Sequence, residues 1–172
     1  MLKDKQRMFA YEFQGYWKDV GTISSLWEAN MDLLDTESGI NLNDRGWKIY
    51  ARNTAEPPHF VGENAIVSNS IVSEGCDIDG KITNSVIFHG SNIAKGAEIK
   101  DSIIMPHAVI GANARICHAI VGWGSVVGEN CVIGAPQTEP INGEWNIAVV
   151  GPELTLPKNS VVKEGEMIGG NK

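Results

Sequence analysis

Cysteine is scarce in this 172-residue sequence, at three residues, and no two of them stand in a Cys-x-x-Cys spacing, so zinc-ribbon and dithiol chemistry have no framework here. There is no basic run. Fourteen Lys and Arg against 21 Asp and Glu give a net charge of −7, which argues against nonspecific binding to nucleic acid or to an anionic membrane. No apolar stretch is long enough to span a bilayer, and the opening residues MLKDKQRMF carry no signal-peptide core, which points to the cytoplasm as the default compartment. The N-terminal third contains neither a glycine-rich phosphate loop nor a complete α/β unit, so it reads as the edge of a domain whose body lies elsewhere, and the chain as a fragment.

What the sequence does contain, from Val61 to Val162, is a repeat of aliphatic residues spaced six, five and six apart. Val61, Val67 and Val72 form one turn, Ile78, Ile82 and Ile87 the next, then Ile93, Ile99 and Ile104, then Ile110, Ile116 and Val121, followed by Val127 and Ile133. Most turns have the length of the steps from Ile93 to Ile110 and from Ile110 to Val127, and one, from Ile78 to Ile93, is shorter by two positions. Two residues before each aliphatic position sits a small one: Ala65, Ala97, Ala114 and Cys131 on one side, Ser70, Ser85, Ser102 and Ala119 on the second, Cys76, Ser91, Ala108 and Ser125 on the third. Cys76 and Cys131 are thus expected to serve packing, and Cys117 to point outward. Gly62, Gly111 and Gly128 follow the aliphatic residue on one edge, where a bend with unusual backbone angles would want no Cβ. So short a period excludes helical solenoids and propellers. It predicts a mainly β fold: a triangular parallel β-solenoid over residues 59–172, resembling the left-handed β-helix built from hexapeptide repeats.

Residues 1–58 differ. Phe9 to Phe13 alternates as a strand would, Gly15 interrupts it, and Thr22 is placed to cap a helix whose apolar face is Ile23, Leu26, Trp27, Met31 and Leu34. A second strand is expected over Trp47 to Tyr50, and Pro57-Pro58 punctuates the passage into the solenoid. The run Gly15-Tyr16-Trp17-Lys18-Asp19-Val20-Gly21-Thr22, then Leu26-Trp27-Glu28-Ala29-Asn30-Met31-Asp32-Leu33-Leu34, resembles the end of the catalytic domain of bacterial ADP-glucose pyrophosphorylases (glucose-1-phosphate adenylyltransferases). The stretch from Arg45 through Tyr50, the double proline and the solenoid extend that resemblance over nearly the whole chain.

The resemblance implies a parent enzyme that makes ADP-glucose and pyrophosphate from ATP and glucose 1-phosphate for glycogen biosynthesis, with Mg2+ as its cofactor. Residues 1–58 would be the C-terminal α/β remnant of the nucleotidyltransferase domain plus linker. Asp19 would be one of two metal-binding aspartates, Trp17 would support the substrate-side loop, and Lys18 would face phosphate. By the same resemblance the solenoid would join subunits into a homo-oligomer or mixed tetramer and help to bind an anionic allosteric effector. Arg45, Lys48, Arg52 and Arg115 are too scattered in sequence to name an effector site. The chain alone is expected to be inactive.

Two other readings come from the repeat itself. Hexapeptide solenoids also resemble acyltransferases and carbonic anhydrases, which use one histidine as base or three as metal ligands. Here His89, His107 and His118 fall five, six and zero residues after the equivalent starts Asn84, Asp101 and His118, so no three-histidine cluster forms and each is expected on a surface or turn. An insertion interrupts the repeat within Gly134 to Asn146, where the next aliphatic position is delayed from its due place after Ile133 to Val150, and it contains no histidine. The purely structural reading rests on an outward apolar ladder on the second side: Ile71, Val86, Ile103 and Ile120, continued by Val149. Such a ladder must be covered, by the helix from Ile23, by the rest of a catalytic domain, or by another subunit.

Overall fold

The computed structural model describes residues 7, 9–42, 44–50 and 54–169. Three parallel sheets of six strands each form the faces of a triangular solenoid. The first face stacks Phe60–Val61, Asp77–Ile78, Asn92–Ile93, Val109–Ile110, Val126–Val127 and Thr155–Leu156. The second runs from Ile66–Ser68 through Lys81–Thr83, Glu98–Lys100, Arg115–Cys117 and Val132–Ile133 to Val161–Val162. The third comprises Ile71–Val72, Val86–Ile87, Ile103–Ile104, Ala119–Val121, Ala148–Val150 and Met167–Ile168.

Strand register reproduces the spacing of the repeat. Phe60 pairs with Asp77, Asp77 with Asn92 and Asn92 with Val109, so the shortened turn falls between two of ordinary length, as the aliphatic positions require. Val126 then pairs with Thr155, across the insertion, which therefore leaves the solenoid and returns without shifting its register. The inward residues Ile78, Ile82, Ile87, Ile93, Ile99, Ile104, Ile110, Ile116, Val121, Val127 and Ile133 are each at most 1% exposed. Burying one such side chain contributes about 1.5–3 kcal/mol, and in-register stacking makes that gain recur coil after coil.

The small positions do more than leave room. The Ser85 amide donates to Ser70 Oγ at 3.1 Å, Ser102 to Ser85 Oγ at 3.2 Å and Ala119 to Ser102 Oγ at 3.2 Å, so three hydroxyls link successive coils at one corner. Cys76 and Cys131 are buried at such positions, and their thiols donate to the carbonyls of Phe88 and Pro157. Gly111 and Gly128 are required for a reason other than backbone angle, because neither has positive φ. A Cβ on Gly111 would stand 2.7 Å from the backbone of Gly128 and Glu129 in the next coil. At that corner the left-handed residues are Asn113 and Asn130, two positions on; the other two corners place them at Asn69, Asn84, Asp101 and His118, one above another, and at Gly75, Gly90, His107 and Gly124.

Helix α1 spans Ile23–Met31, and a 3-10 turn, Asp32–Leu34, ends it, so the apolar face read through residue 34 finishes in a tighter winding. Thr22 caps it reciprocally with Ser25: the Ser25 amide donates to Thr22 Oγ1 at 3.1 Å and the Thr22 amide to Ser25 Oγ at 3.0 Å. Two expected strands do not form. Phe9–Phe13 and Trp47–Tyr50 are irregular and exposed, because alternation makes a strand only where a neighbouring strand takes up its hydrogen bonds, and none pairs with them among the described residues.

Candidate functional site

The outward ladder of the third face is covered by the chain's own helix. Ile103 and Ile120 are 0% and 4% exposed and pack with Trp27 and Ile147, flanked by Ile23, Leu26 and Met31 of α1. Val86 is also buried, whereas Ile71 at the top and Val149 below are only partly so. Of the three covers open from the sequence, the helix therefore takes the centre of the ladder. Trp27 Nε1 donates to the Asp101 carbonyl at 2.8 Å, and the Trp145 amide, from the insertion, donates to Ser24 Oγ at 3.0 Å. The insertion, which lacks histidine, thus supplies the second clamp on the helix.

Docked this way, α1 holds the loop before it. Lys18 Nζ lies 3.0 Å from both Glu28 Oε2 and Asp32 Oδ2, and Tyr16 OH donates to the same Asp32 oxygen at 2.8 Å. Burial pulls the Lys18 pKa down, but the two carboxylates outweigh it and hold the ammonium above the ordinary lysine range. Burial and the Asp32 carboxylate both push the Tyr16 phenol up. Lys18 is therefore committed to α1 and anchors the loop rather than projecting toward a phosphate. Asp19 and Trp17 are exposed, Trp17 at 76%. Asp19 offers an unobstructed hard oxygen donor, which suits Mg2+, an ion held through one or two carboxylates together with substrate phosphates. Asp19 belongs to no cluster of three or more such ligands among the described residues.

A second constellation lies under α1, at the corner between the second and third faces. Cys117 is in register with Lys100, which places His118 one coil below Asp101. The His118 ring is 4% exposed and packs against two indoles that also touch each other: its centroid is 5.2 Å from Trp27 and 5.3 Å from Trp145, at interplanar angles of 28° and 27°, and the two indoles are 5.2 Å apart. His118 is a turn residue, as its φ of 45° attests, but not a surface one. Its Nδ1 is 3.5 Å from Cys117 Sγ and 3.8 Å from Asp101 Oδ2. Cys117 is accordingly half-buried beside a base instead of pointing freely outward. Burial lowers the His118 pKa, with Asp101 opposing, and raises that of the Cys117 thiol, so the pair is a neutral imidazole beside a protonated thiol and not an activated nucleophile. Buried under the two indoles, His118 also cannot serve as an acyl-transfer base for an incoming substrate.

Sequence reasoning missed this cluster by asking only whether histidines align. The same register puts Asn69, Asn84, Asp101 and His118 in one polar column: Asn69 donates to Asn84 at 2.9 Å and Asn84 to Asp101 Oδ1 at 2.7 Å. His89 and His107, in contrast, meet edge to face at 5.1 Å on another corner. Among the candidate effector cations, Arg45 and Lys48 are exposed and Arg52 lies outside the described residues. Arg115 stacks between Glu98 and Val132 on the second face, beside a groove of about 320 Å³ that Lys100 and Cys117 also line.

Residues 57–151 match the family model described as GlmU-like, C-terminal hexapeptide, and residues 1–36 match that for nucleotidyl transferase. Glucose-1-phosphate adenylyltransferases from Bacillus mycoides (strain KBAB4), Bacillus cereus (strain ATCC 10987 / NRS 248) and Bacillus anthracis are each 48% identical to the chain over 133 residues. The aligned part is 77% of this chain and 35% of each relative, so the chain spans about a third of the length of the curated relatives it matches. No helix among the described residues is long and apolar enough to cross a membrane.

Proposed function

The chain belongs to the GlmU-like, C-terminal hexapeptide family, and on that premise we propose that it is the C-terminal part of an enzyme transferring AMP from ATP to glucose 1-phosphate, giving ADP-glucose and pyrophosphate for glycogen biosynthesis. The observation that carries this reading is the 48% identity over 133 residues to proteins named glucose-1-phosphate adenylyltransferase. Residues 1–58 are then the edge of the nucleotidyltransferase domain with its linker, and 59–172 the solenoid domain.

In this reading Asp19 is one carboxylate of the Mg2+ site. Mg2+, when bound, neutralises the crowded phosphate oxygens of ATP. The chain's own contribution is placement: α1, clamped on the solenoid, holds the Tyr16–Thr22 loop through Lys18 and Tyr16 so that the Asp19 carboxylate is presented on a fixed support. In the full-length enzyme Asp19→Asn is expected to lower ADP-glucose formation by about 10²-fold or more at ordinary Mg2+, on the scale of lost electrostatic transition-state stabilisation; near-normal turnover would remove Asp19 from the site. The chain alone is expected to be inactive, and ADP-glucose synthesis by it would overturn the reading.

The solenoid serves assembly as well. Below its middle, the first two faces expose Val109, Val126, Val132 and Val161 at 38–62%. These follow the polar middle of the same faces, Asp77, Asn92, Lys81, Glu98 and Arg115, and suit a subunit contact in a homo-oligomer or mixed tetramer, with an anionic effector as a further ligand of the assembled enzyme. A single-subunit mass for the full-length enzyme in analytical ultracentrifugation would sink the assembly role.

A further inference from the structure

Three side chains of different chemistry converge at the corner beneath α1, and their spacing is not that of a closed hydrogen-bonded network. The 3.8 Å between His118 Nδ1 and Asp101 Oδ2 is too long for a hydrogen bond, and the 3.5 Å from Nδ1 to Cys117 Sγ is a weak one. All three donor atoms lie within 4.8 Å of one another. With bonds of about 2.0–2.3 Å, donors around a tetrahedral zinc ion stand roughly 3.3–3.8 Å apart. Both separations measured from His118 Nδ1, 3.5 Å to sulfur and 3.8 Å to oxygen, fall in that range, and the third pair is within 4.8 Å.

We propose that Asp101, Cys117 and His118 form a site for a borderline divalent cation of the Zn2+ class, through Asp101 Oδ2, Cys117 Sγ and His118 Nδ1, with the fourth position left to water. The thiol gives up its proton to solvent as the sulfur–metal bond forms. One sulfur, one imidazole nitrogen and one carboxylate oxygen select Zn2+ or Co2+ over Mg2+ and Ca2+, which prefer all-oxygen shells, so this site is chemically separate from Asp19.

The supports of the ligands are already built. Asn84 fixes the far oxygen of Asp101 at 2.7 Å, and Trp27 and Trp145 fix the plane of the imidazole. Lys100 Nζ now stands 3.6 Å from Asp101 Oδ2 on a side chain 60% exposed, so it can swing into water when a cation enters. Entry is from the groove that Cys117 lines on the second face. The same residues meet Trp27 of α1 and Trp145 of the insertion, so a bound ion would fasten both to the solenoid. The inference stands on these residues and does not depend on the catalytic reading.

The test is metal binding by the chain, stripped with EDTA and then equilibrated with Zn2+ or Co2+ and desalted. About one equivalent of retained metal is expected by mass spectrometry, and the Co2+ form should carry a thiolate-to-metal charge-transfer band. Cys117→Ser should remove that band and Asp101→Asn should weaken retention at least tenfold, while Cys76→Ser leaves both unchanged. In case a variant misfolds, maleimide labelling of the unsubstituted chain with peptide mapping gives an independent readout: Zn2+ should slow modification of Cys117 at least tenfold. Less than a tenth of an equivalent bound, a charge-transfer band that survives in folded Cys117→Ser, or labelling of Cys117 indifferent to Zn2+ would each overturn the proposal.

Discussion

The middle coils of the solenoid and the segment from Phe9 to Tyr50 both carry apolar residues at short spacing, and they end in opposite environments. Ile93, Ile99 and Ile104 are at most 1% exposed, whereas Phe9, Tyr11, Trp47, Ile49 and Tyr50 are 72–90% exposed. Intrinsic preference does not separate them, since isoleucine and aromatic residues favour strands in both. Stacking does: each of these solenoid strands has a neighbour one coil away that repeats its pattern, so one register satisfies the backbone and buries the side chain together. The N-terminal segment has no such repeat, and what holds it is one amphipathic helix at a few points. The solenoid is therefore cooperative and the N-terminal segment an attachment to it.

The largest effect that would break this comparison is a charge in the dry column. Ile110→Asp places a carboxylate where nothing can solvate it, and the chain is expected to lose its β signature in far-ultraviolet circular dichroism at room temperature. The same substitution at Ile49, 72% exposed, should leave the urea midpoint within the equivalent of about 0.5 kcal/mol. If Ile49→Asp destabilised as Ile110→Asp does, the two regions would not differ in kind.

A smaller effect is expected at the joint. Trp27 is 6% exposed and makes the hydrogen bond to Asp101 and both ring contacts of the clamp. Trp27→Ala should cost about 3–5 kcal/mol, the usual scale for truncating a buried tryptophan, and the loss should be local. Amide exchange over Ile23–Met31 should accelerate by on the order of 10²–10⁴-fold, the same energy expressed as a rate, while Ile104 and Val121 stay protected. Uniform loss of protection in both would mean that the helix belongs to the solenoid's folding unit.

What could be read in advance follows the same division. The coil length, the inward columns, the place of the insertion and the buried Cys76 and Cys131 were legible because a solenoid maps sequence period directly onto space. Thr22 was legible as a cap because capping is local. The irregular Phe9–Phe13 and Trp47–Tyr50 were not, since a strand depends on a partner that alternation cannot name. The corner of Asp101, Cys117 and His118 lies between these cases. Its register was available, but its burial depends on Trp27 and Trp145, and the contacts that bring them there span 74 and 121 residues of sequence.

The smallest effect should come from Lys18, and it sharpens the comparison most. Its two ion pairs to α1 are at most about one third exposed, and pairs of this kind contribute between roughly 0 and 1 kcal/mol. Lys18→Met keeps the length of the side chain and removes the charge, so the urea midpoint should move by no more than that amount. The Tyr16 phenol remains on Asp32, and α1 remains capped and clamped, so exchange over Ile23–Met31 should stay slow. Backbone amide order parameters at Asp19, Val20 and Gly21 should nevertheless fall, because the loop would then be tied to the helix only through Tyr16. An acceleration of exchange over Ile23–Met31 as large as that of Trp27→Ala would instead make the loop part of the packed joint. Unchanged order parameters at those three amides would show that the Lys18 ammonium does not position Asp19.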